Sequence, residues 1–212
     1  MGIPLADAQP TAEDLAPTAF LDTEHPAVRA YTERLTEGAT DDAERARRLF
    51  AGVRDDVRYN PYELPTAPEA YRASAILEAG NGYCVQKTVL LSALARAAGI
   101  PARLGFADVR NHLQTDRLRE QMGTDLFVWH GYSVLWVDGA WRKASPAFNT
   151  ELCARFGVEP LEFDGTADAL LHQFSGDGSR YMEYVNDHGV YADLPLEEIL
   201  AAYVATYPAI TA

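Results

Sequence analysis

The stretch from Gly80 to Pro101 constrains the fold of this chain more than any other part of the sequence. It opens with Gly80-Asn81-Gly82, a turn sequence, and continues into good helix formers. The apolar positions of this run recur at helical spacing: Val89, Leu90, Leu94 and Ala97. Gly99 then ends the helix before Ile100-Pro101. The pattern predicts a buried helix with Cys84 at its first turn.

Two β-rich segments follow this helix. Residues 102–109 alternate weakly, as a strand does, and residues 110–126 are polar and predict a loop with some helix. Residues 130–137 and 140–144 flank Asp138-Gly139, the strongest short hairpin signal. We therefore predict a hairpin with His130 at the outer end of its first strand.

The flanking regions add helices and complete an α+β chain. Residues 1–20 predict an arm that lies on the domain or frays, and residues 21–212 a single domain. Its core motif region is about 59–148, and 149–212 is a C-terminal extension. Apolar spacing and capping residues predict helices at 26–35, 41–53, 71–79, 151–156 and 196–203. The last of these is expected to be capped by Asp193 and Pro195, and His188-Gly189 is expected to form a turn.

Charge and cysteine usage narrow the function classes. The formal net charge of −13 would repel nucleic acid and anionic membranes, and it leaves open whether the acidity serves solubility or a cationic substrate. The two cysteines do not form the dense even-numbered pattern of a secreted disulfide scaffold. The first 20 residues lack a signal-peptide pattern, and the longest apolar run is broken by Arg96 and Gly99. We expect a cytoplasmic protein; its oligomeric state stays open.

Cys84 and His130 are the residues most suited to chemistry. A helix N-terminus lowers the pKa of a cysteine thiol and offers N–H groups to an oxyanion, although an inert buried cysteine would have the same placement. A strand end is a rigid mount for a histidine that takes and returns a proton. The other four histidines are expected to be solvated or structural: His25, His112, His172 and His188. Cys153 is expected to be a small buried packing residue.

Two blocks of sequence resemble the transglutaminase-like superfamily. The first, Gly80 to Arg103, is similar to that family's Gly-x-Cys helix ending in Gly-Ile-Pro-Ala-Arg; the second, Trp129 to Trp141, is similar to its histidine strand and Gly-x-Trp hairpin. The resemblance implies a papain-like α+β fold in which a nucleophile helix packs on an antiparallel sheet. It also implies that Cys84 and His130 form a catalytic pair for acyl transfer through a thioester, without a metal.

One position departs from that family. The family places an Asp followed by Pro after the hairpin to orient the histidine, and Ser145-Pro146 stands there instead. A serine hydroxyl can bond to the imidazole but cannot stabilise imidazolium as a carboxylate does. Either Ser145 is the third catalytic residue, or Asn149 or Asp164 reaches the histidine. The alternative is that Asn149 and Asp164 have purely structural roles, Asn149 as a turn cap and Asp164 within a turn.

Two functional hypotheses remain. The first is a thiol enzyme that hydrolyses the amide of a peptide or protein substrate or transfers its acyl group to an amine. The second is a catalytically inactive peptide-binding domain that retains the cleft, motivated by the missing Asp. No cofactor or metal is expected, because the sequence lacks Cys-x-x-Cys and His-x-x-x-His pairs and a calcium-loop pattern. Substrate identity and the second acceptor stay open.

Overall fold

The computed structural model describes residues 8–112, 114–170 and 182–207. Within these residues the helices are α1, Pro26–Thr36; α2, Asp42–Asp56; α3, Ala73–Ala79; α4, Cys84–Ala97; α5, Asp116–Met122; α6, Thr150–Phe156; and α7, Leu196–Thr206. The strands are β1, Arg58–Tyr59; β2, Asn81–Gly82; β3, Ala102–Asn111; β4, Leu126–Val137; β5, Ala140–Ala144; and β6, Met182–Tyr191. No helix in these ranges is both long enough and apolar enough to cross a membrane.

The main sheet is antiparallel, with strand order β5-β4-β3-β6. The β4–β5 hairpin forms as predicted from Asp138-Gly139: both residues have positive φ, 49° and 79°, as a tight hairpin turn requires. A separate pair, β1 and β2, is parallel and lies where the chain enters α4. Helices and an antiparallel sheet in one unit confirm the predicted α+β class.

Helix α4 is the centre of the core and packs against the sheet. It is buried along nearly its whole length because α1, α2 and α3 cover the side that faces away from β3 and β4. At the contact with β4, the Ser92 hydroxyl donates to the Ser133 hydroxyl, and the Ser133 hydroxyl donates to the Thr88 carbonyl. Pairing these buried hydroxyls with each other and with a backbone acceptor avoids the cost of unsatisfied polar groups.

The segment before α1 is tied to the sheet. Asp14 is almost fully buried and accepts two hydrogen bonds from the Arg103 guanidinium, at 2.7 and 2.9 Å. The indole N–H of Trp141 donates to the Ala8 carbonyl at 2.7 Å. Residues 8–20 are thus joined to β3 by the buried ion pair between Asp14 and Arg103. The Ala-, Pro- and Thr-rich composition of this segment did not predict that contact.

Three local predictions are wrong. His130 lies four residues inside β4, not at its outer end, because the strand begins at Leu126. His188 and Gly189 lie within β6, where two register shifts accommodate the positive φ of Gly189. Asp193 does not cap α7: no side chain caps this helix, and Asp193 instead accepts from the Thr18 hydroxyl.

Candidate active site

Short-range geometry fixes how the chain enters α4. Gly80 has φ +62°, which suits glycine, and a Cβ at Gly82 would approach the Gln86 side chain to 3.1 Å. The Gln86 amide accepts from the Tyr83 N–H and donates to the Ala70 carbonyl. The backbone just before Cys84 is therefore held on both sides, and Cys84 is the first residue of the helix, as predicted.

The Cys84 thiol is buried, with 5% of the residue exposed. Burial raises the pKa of this thiol to about 11, while hydrogen bonds from the backbone N–H groups of Gly131, Val85 and Cys84 act in the opposite direction. Desolvation disfavours the charged form and here outweighs the helix N-terminus. The expected low thiol pKa is thus not found, and Cys84 is a neutral thiol at pH 7.

His130 lies on β4 opposite Ala107 of β3 and is also buried. Its Nε2 is 3.3 Å from the Ser145 hydroxyl oxygen. Burial lowers the pKa of the imidazole to about 4, so the ring is neutral at pH 7. The site accordingly holds a neutral thiol and a neutral imidazole.

Gly131 joins the cysteine helix to the histidine strand. Its backbone N–H donates to the Cys84 sulfur, which brings the thiol against the residue that directly follows His130. A Cβ at this position would come within 3.1 Å of the Val85 Cα and 2.9 Å of the Thr88 hydroxyl. Only glycine allows β4 to approach α4 this closely. Gly131 lies within the histidine motif, Trp129 to Trp141, but the sequence pattern assigned it no role.

Of the three candidates for orienting His130, Ser145 is the one that contacts the ring. Its own N–H donates to the Ala169 carbonyl at 2.8 Å, which fixes its backbone beside β5. Asn149 is occupied at the end of α2: its amide donates to the Arg54 and Val57 carbonyls and accepts from the Tyr59 N–H. Asp164 is exposed and accepts from the Thr166 and Ala167 N–H groups of its own turn.

Tyrosine side chains surround Cys84 on the side of α7. The Tyr71 and Tyr83 hydroxyls are 2.9 Å apart, and Tyr203 packs on Tyr83 with ring centroids 6.2 Å apart. The Tyr207 hydroxyl accepts from the Val128 N–H at 2.6 Å and donates to the Leu126 carbonyl. Burial raises the pKa of all four phenols, which stay neutral. Sequence reasoning missed them; the four-residue spacing of Tyr203 and Tyr207 was the available signal.

A small cavity of about 30 Å³ lies beside Cys84 and is just large enough for a water molecule. An open cleft of about 840 Å³ adjoins it, and three residues line both: Tyr59, Pro61 and Phe127. Cys84 does not line the larger cleft. Tyr59, Pro61 and Phe127 therefore lie between the larger cleft and the cavity beside the sulfur.

The remaining predicted residues lie apart from the cysteine. Cys153 is buried in a small apolar cluster with Val109, Val158 and Met182, as expected. His25 accepts from the Ala27 N–H at the start of α1, and His112 lies 3.4 Å from Glu183. His172 falls outside the described residues. Within residues 8–112, 114–170 and 182–207, no three His, Cys, Asp or Glu side chains are grouped to hold a metal.

Several solved structures are similar to this chain. One of the similar solved structures is a candidate cysteine protease from Cytophaga hutchinsonii, 15% identical, with a TM-score of 0.50 over 90% of this chain and 58% of that protein. An arylamine N-acetyltransferase from Mycobacterium abscessus is 14% identical, with a TM-score of 0.49 over 90% of this chain and 73% of that protein. The periplasmic domain of TgpA from Pseudomonas aeruginosa is 18% identical, with a TM-score of 0.42 over 63% of this chain and 45% of that protein. At these identities the likeness concerns the fold alone. The chain spans little more than half the length of the Cytophaga protein.

No curated protein matches this chain. The sequence profile of the transglutaminase-like superfamily matches residues 29–146, a span that includes Cys84, His130 and Ser145. Since that span exceeds half of the 212 residues, the chain belongs to the transglutaminase-like superfamily.

Proposed function

We propose that this protein is a cysteine-dependent enzyme that attacks the amide bonds of peptide or protein substrates and forms a thioester on Cys84. One observation carries the proposal: the Cys84 sulfur lies at a helix N-terminus against the Gly131 N–H, and the residue before Gly131 is a histidine whose ring contacts Ser145. In this proposal Cys84 is the nucleophile, His130 is the base and Ser145 is the orienting group, which are the three roles that nucleophilic catalysis requires.

The proposed tautomer follows from the contact with Ser145. If Nε2 carries the proton and donates to the Ser145 hydroxyl oxygen, Nδ1 is the basic nitrogen of His130. The thiol proton of Cys84 then passes to Nδ1 as the sulfur attacks the carbonyl carbon. The N–H groups at the start of α4 stabilise the oxyanion. His130 returns the proton to the leaving amine, and water or a second amine cleaves the thioester.

Ser145 makes this a Cys-His-Ser arrangement without a carboxylate. A neutral hydroxyl stabilises imidazolium less than a carboxylate does, and burial also disfavours that ion. The neutral resting pair is consistent with both effects. In this proposal Cys84 is a neutral thiol in the resting enzyme. It loses its proton only as the sulfur attacks, when the negative charge moves to the oxygen of the substrate carbonyl.

The cleft beside Tyr59, Pro61 and Phe127 is the proposed substrate-binding site. It is open, and its walls carry aromatic rings and amide side chains, which suit an extended peptide: Tyr59, Tyr62, Phe127, Phe148, Phe156, Asn60, Asn111 and Gln114. The scissile amide would lie beside the three residues that the cleft shares with the Cys84 cavity.

A non-catalytic peptide-binding domain is the second candidate. It is favoured by the small volume of the cavity beside Cys84 and by the presence of Ser145, not a carboxylate, at the contact with His130. In that case the cleft would bind peptides with equal affinity whether or not Cys84 is present, and no product would form.

One experiment separates the two candidates. A peptide library with Gln, Asn and backbone amides is incubated with and without primary amines, and the products are identified by mass spectrometry. The enzyme predicts hydrolysed or amine-linked products with the wild type and with Cys153→Ala, and none with Cys84→Ala. Peptide binding without any product from the wild type would overturn the enzyme proposal.

A further inference from the structure

The residue before His130 has an unusual backbone conformation. Trp129 has φ +56°, in the left-handed region that bulky residues rarely adopt. The β3–β4 register shifts at this point, between Ala107 and Val109. Such conformations cost of the order of 1–3 kcal/mol and persist only where surrounding contacts impose them. The contacts that impose the Trp129 conformation therefore also determine where His130 is placed.

The Asp108 carboxylate holds the strained backbone. Its Oδ1 accepts the Trp129 N–H at 3.0 Å and lies 2.6 Å from Nε2 of His188. Its Oδ2 accepts from the Asn186 side-chain amide at 3.3 Å. Asp108 lies at the register shifts of β3 with both neighbours, so one carboxylate ties β4 to β6.

His188 also holds the Trp129 side chain. The imidazole and the indole are stacked, with centroids 4.2 Å apart and an angle of 6° between their planes. Phe106 and Tyr191 pack around the same indole. The carboxylate thus fixes the backbone of Trp129 while the His188 ring, bonded to that carboxylate, fixes its side chain.

We propose that Asp108 and His188 are positioning residues for His130, acting through the strained Trp129 backbone. This inference rests on the proposed catalytic role of His130. Without the Asp108 acceptor, Trp129 would relax toward an ordinary strand conformation and rotate the following peptide. That rotation would move the imidazole relative to Ser145 and the Gly131 N–H relative to the Cys84 sulfur.

The test compares Asp108→Ala, which removes the acceptor, with Asp108→Asn, whose amide oxygen can still accept the Trp129 N–H. Val185→Ala serves as the matched control, since Val185 is an exposed residue of β6. Two quantities are measured: the rate at which iodoacetamide alkylates Cys84, located by peptide mass spectrometry, and the ¹⁵N signals of the His130 ring, which report its tautomer.

We expect Asp108→Ala to slow Cys84 alkylation by about ten- to a hundredfold, the range expected when a catalytic group is misplaced by about 1 Å. It should also convert the His130 ring to a mixture of tautomers. Asp108→Asn should retain most of the rate and the single tautomer, and Val185→Ala should match the wild type. A loss of stability alone would expose the buried cysteines and speed their alkylation, and it would not change the tautomer of the His130 ring in the folded protein.

Wild-type rates and an unchanged His130 signal in Asp108→Ala would overturn the positioning role. If Asp108→Ala does not fold, His188→Phe and His188→Ala replace it: the phenyl ring retains the stack, so the Phe variant should keep more of the rate than the Ala variant. Equal rates for these two and the wild type would also overturn it. An altered His130 tautomer combined with an inert wild-type Cys84 would instead support positioning and contradict the proposed function.

Discussion

At the scale of single residues, the two cysteines differ in access and in neighbours. Cys84 borders a cavity and accepts a hydrogen bond from the Gly131 N–H, whereas Cys153 is enclosed in an apolar cluster and is 1% exposed. Burial raises the thiol pKa of both. We therefore expect any difference in reactivity between the two thiols to come from the proposed base and from access.

With limiting iodoacetamide at pH 7, Cys84 should be alkylated well before Cys153. The reason is that His130 is proposed to take the proton of Cys84 as the sulfur attacks, whereas no base is proposed for Cys153. Peptide mass spectrometry over a time course measures both rates. Cys153→Ala should leave the Cys84 rate unchanged, and His130→Ala should lower it. Equal rates for the two wild-type cysteines would count against the proposed pair.

The contact between Ser145 and His130 gives the second prediction. In Ser145→Asp a carboxylate would face the buried ring, and an adjacent negative charge favours imidazolium by about 1–3 pKa units. The pKa of His130, about 4 in the wild type, should rise accordingly. NMR titration of the ring measures it, with Ser145→Ala as the control that removes the contact without adding charge. An unchanged pKa in Ser145→Asp would mean that this position does not face the ring.

Motif residues were predictable at this scale because their chemistry is carried by residue type and local spacing. Cys84 follows a turn and opens a helix, and its place in the structure agrees with that pattern. The thiol pKa was not predictable, since it depends on burial in the folded chain, where residues distant in sequence such as Tyr203 and Tyr207 line the cavity beside Cys84. Asp108 and Gly131 also escaped notice because their roles depend on which backbone they approach across the sheet.

At the scale of elements, the end of α2 shows why Asn149 is not the orienting residue. Its amide and the ammonium of the fully buried Lys87 both donate to the Arg54 and Val57 carbonyls. Burial lowers the pKa of Lys87 to about 7. This cluster closes the C-terminus of α2 and joins it to α4 and to the start of α6.

Asn149→Ala should therefore reduce stability, with no specific effect on His130. The substitution removes three hydrogen bonds and leaves the partly buried Tyr59 N–H without this acceptor, so we expect a loss of about 2–4 kcal/mol. Urea unfolding measures it, and Asn149→Asp is the matched control, since it keeps the acceptor for Tyr59 but loses the donor. A stable Asn149→Ala with an altered His130 tautomer would contradict this assignment.

The element that sequence reasoning missed is β6. Its centre reads Asn186-Asp187-His188-Gly189, a sequence typical of turns. It is a strand because two register shifts with β3 accommodate Gly189, whose φ is +86°, and because Asn186 and His188 bond to Asp108. Tertiary hydrogen bonds overrode the local signal. By contrast, α4 and the β4–β5 hairpin were predictable because their local patterns agree with the tertiary structure.

At the scale of the whole molecule, the buried neutral histidine links folding to pH. His130 has a pKa of about 4 in the folded protein and about 6.5 in the unfolded chain. Between these values the unfolded chain binds a proton that the folded protein does not. Stability therefore rises with pH across this window and is lost as the pH falls below about 6.5.

The free energy of unfolding should fall by about 2.5 kcal/mol between pH 7.5 and pH 4.5 through His130 alone. Urea unfolding at the two pH values measures the drop in the wild type and in His130→Gln, which has no titrating ring. The drop should be smaller in the variant by about that amount. Identical drops would show that His130 is not held neutral, and the neutral-pair account would then fail.

The most direct test of the central claim is to trap the acyl group on Cys84. The wild type and Cys84→Ala are incubated with an activated aryl ester, and intact and peptide masses are recorded before and after hydroxylamine, which cleaves thioesters. We predict an acyl adduct on Cys84 of the wild type that hydroxylamine removes, slower formation in His130→Ala, and no adduct in Cys84→Ala. An adduct that forms equally in Cys84→Ala, or a wild-type Cys84 that is never acylated, would contradict the account.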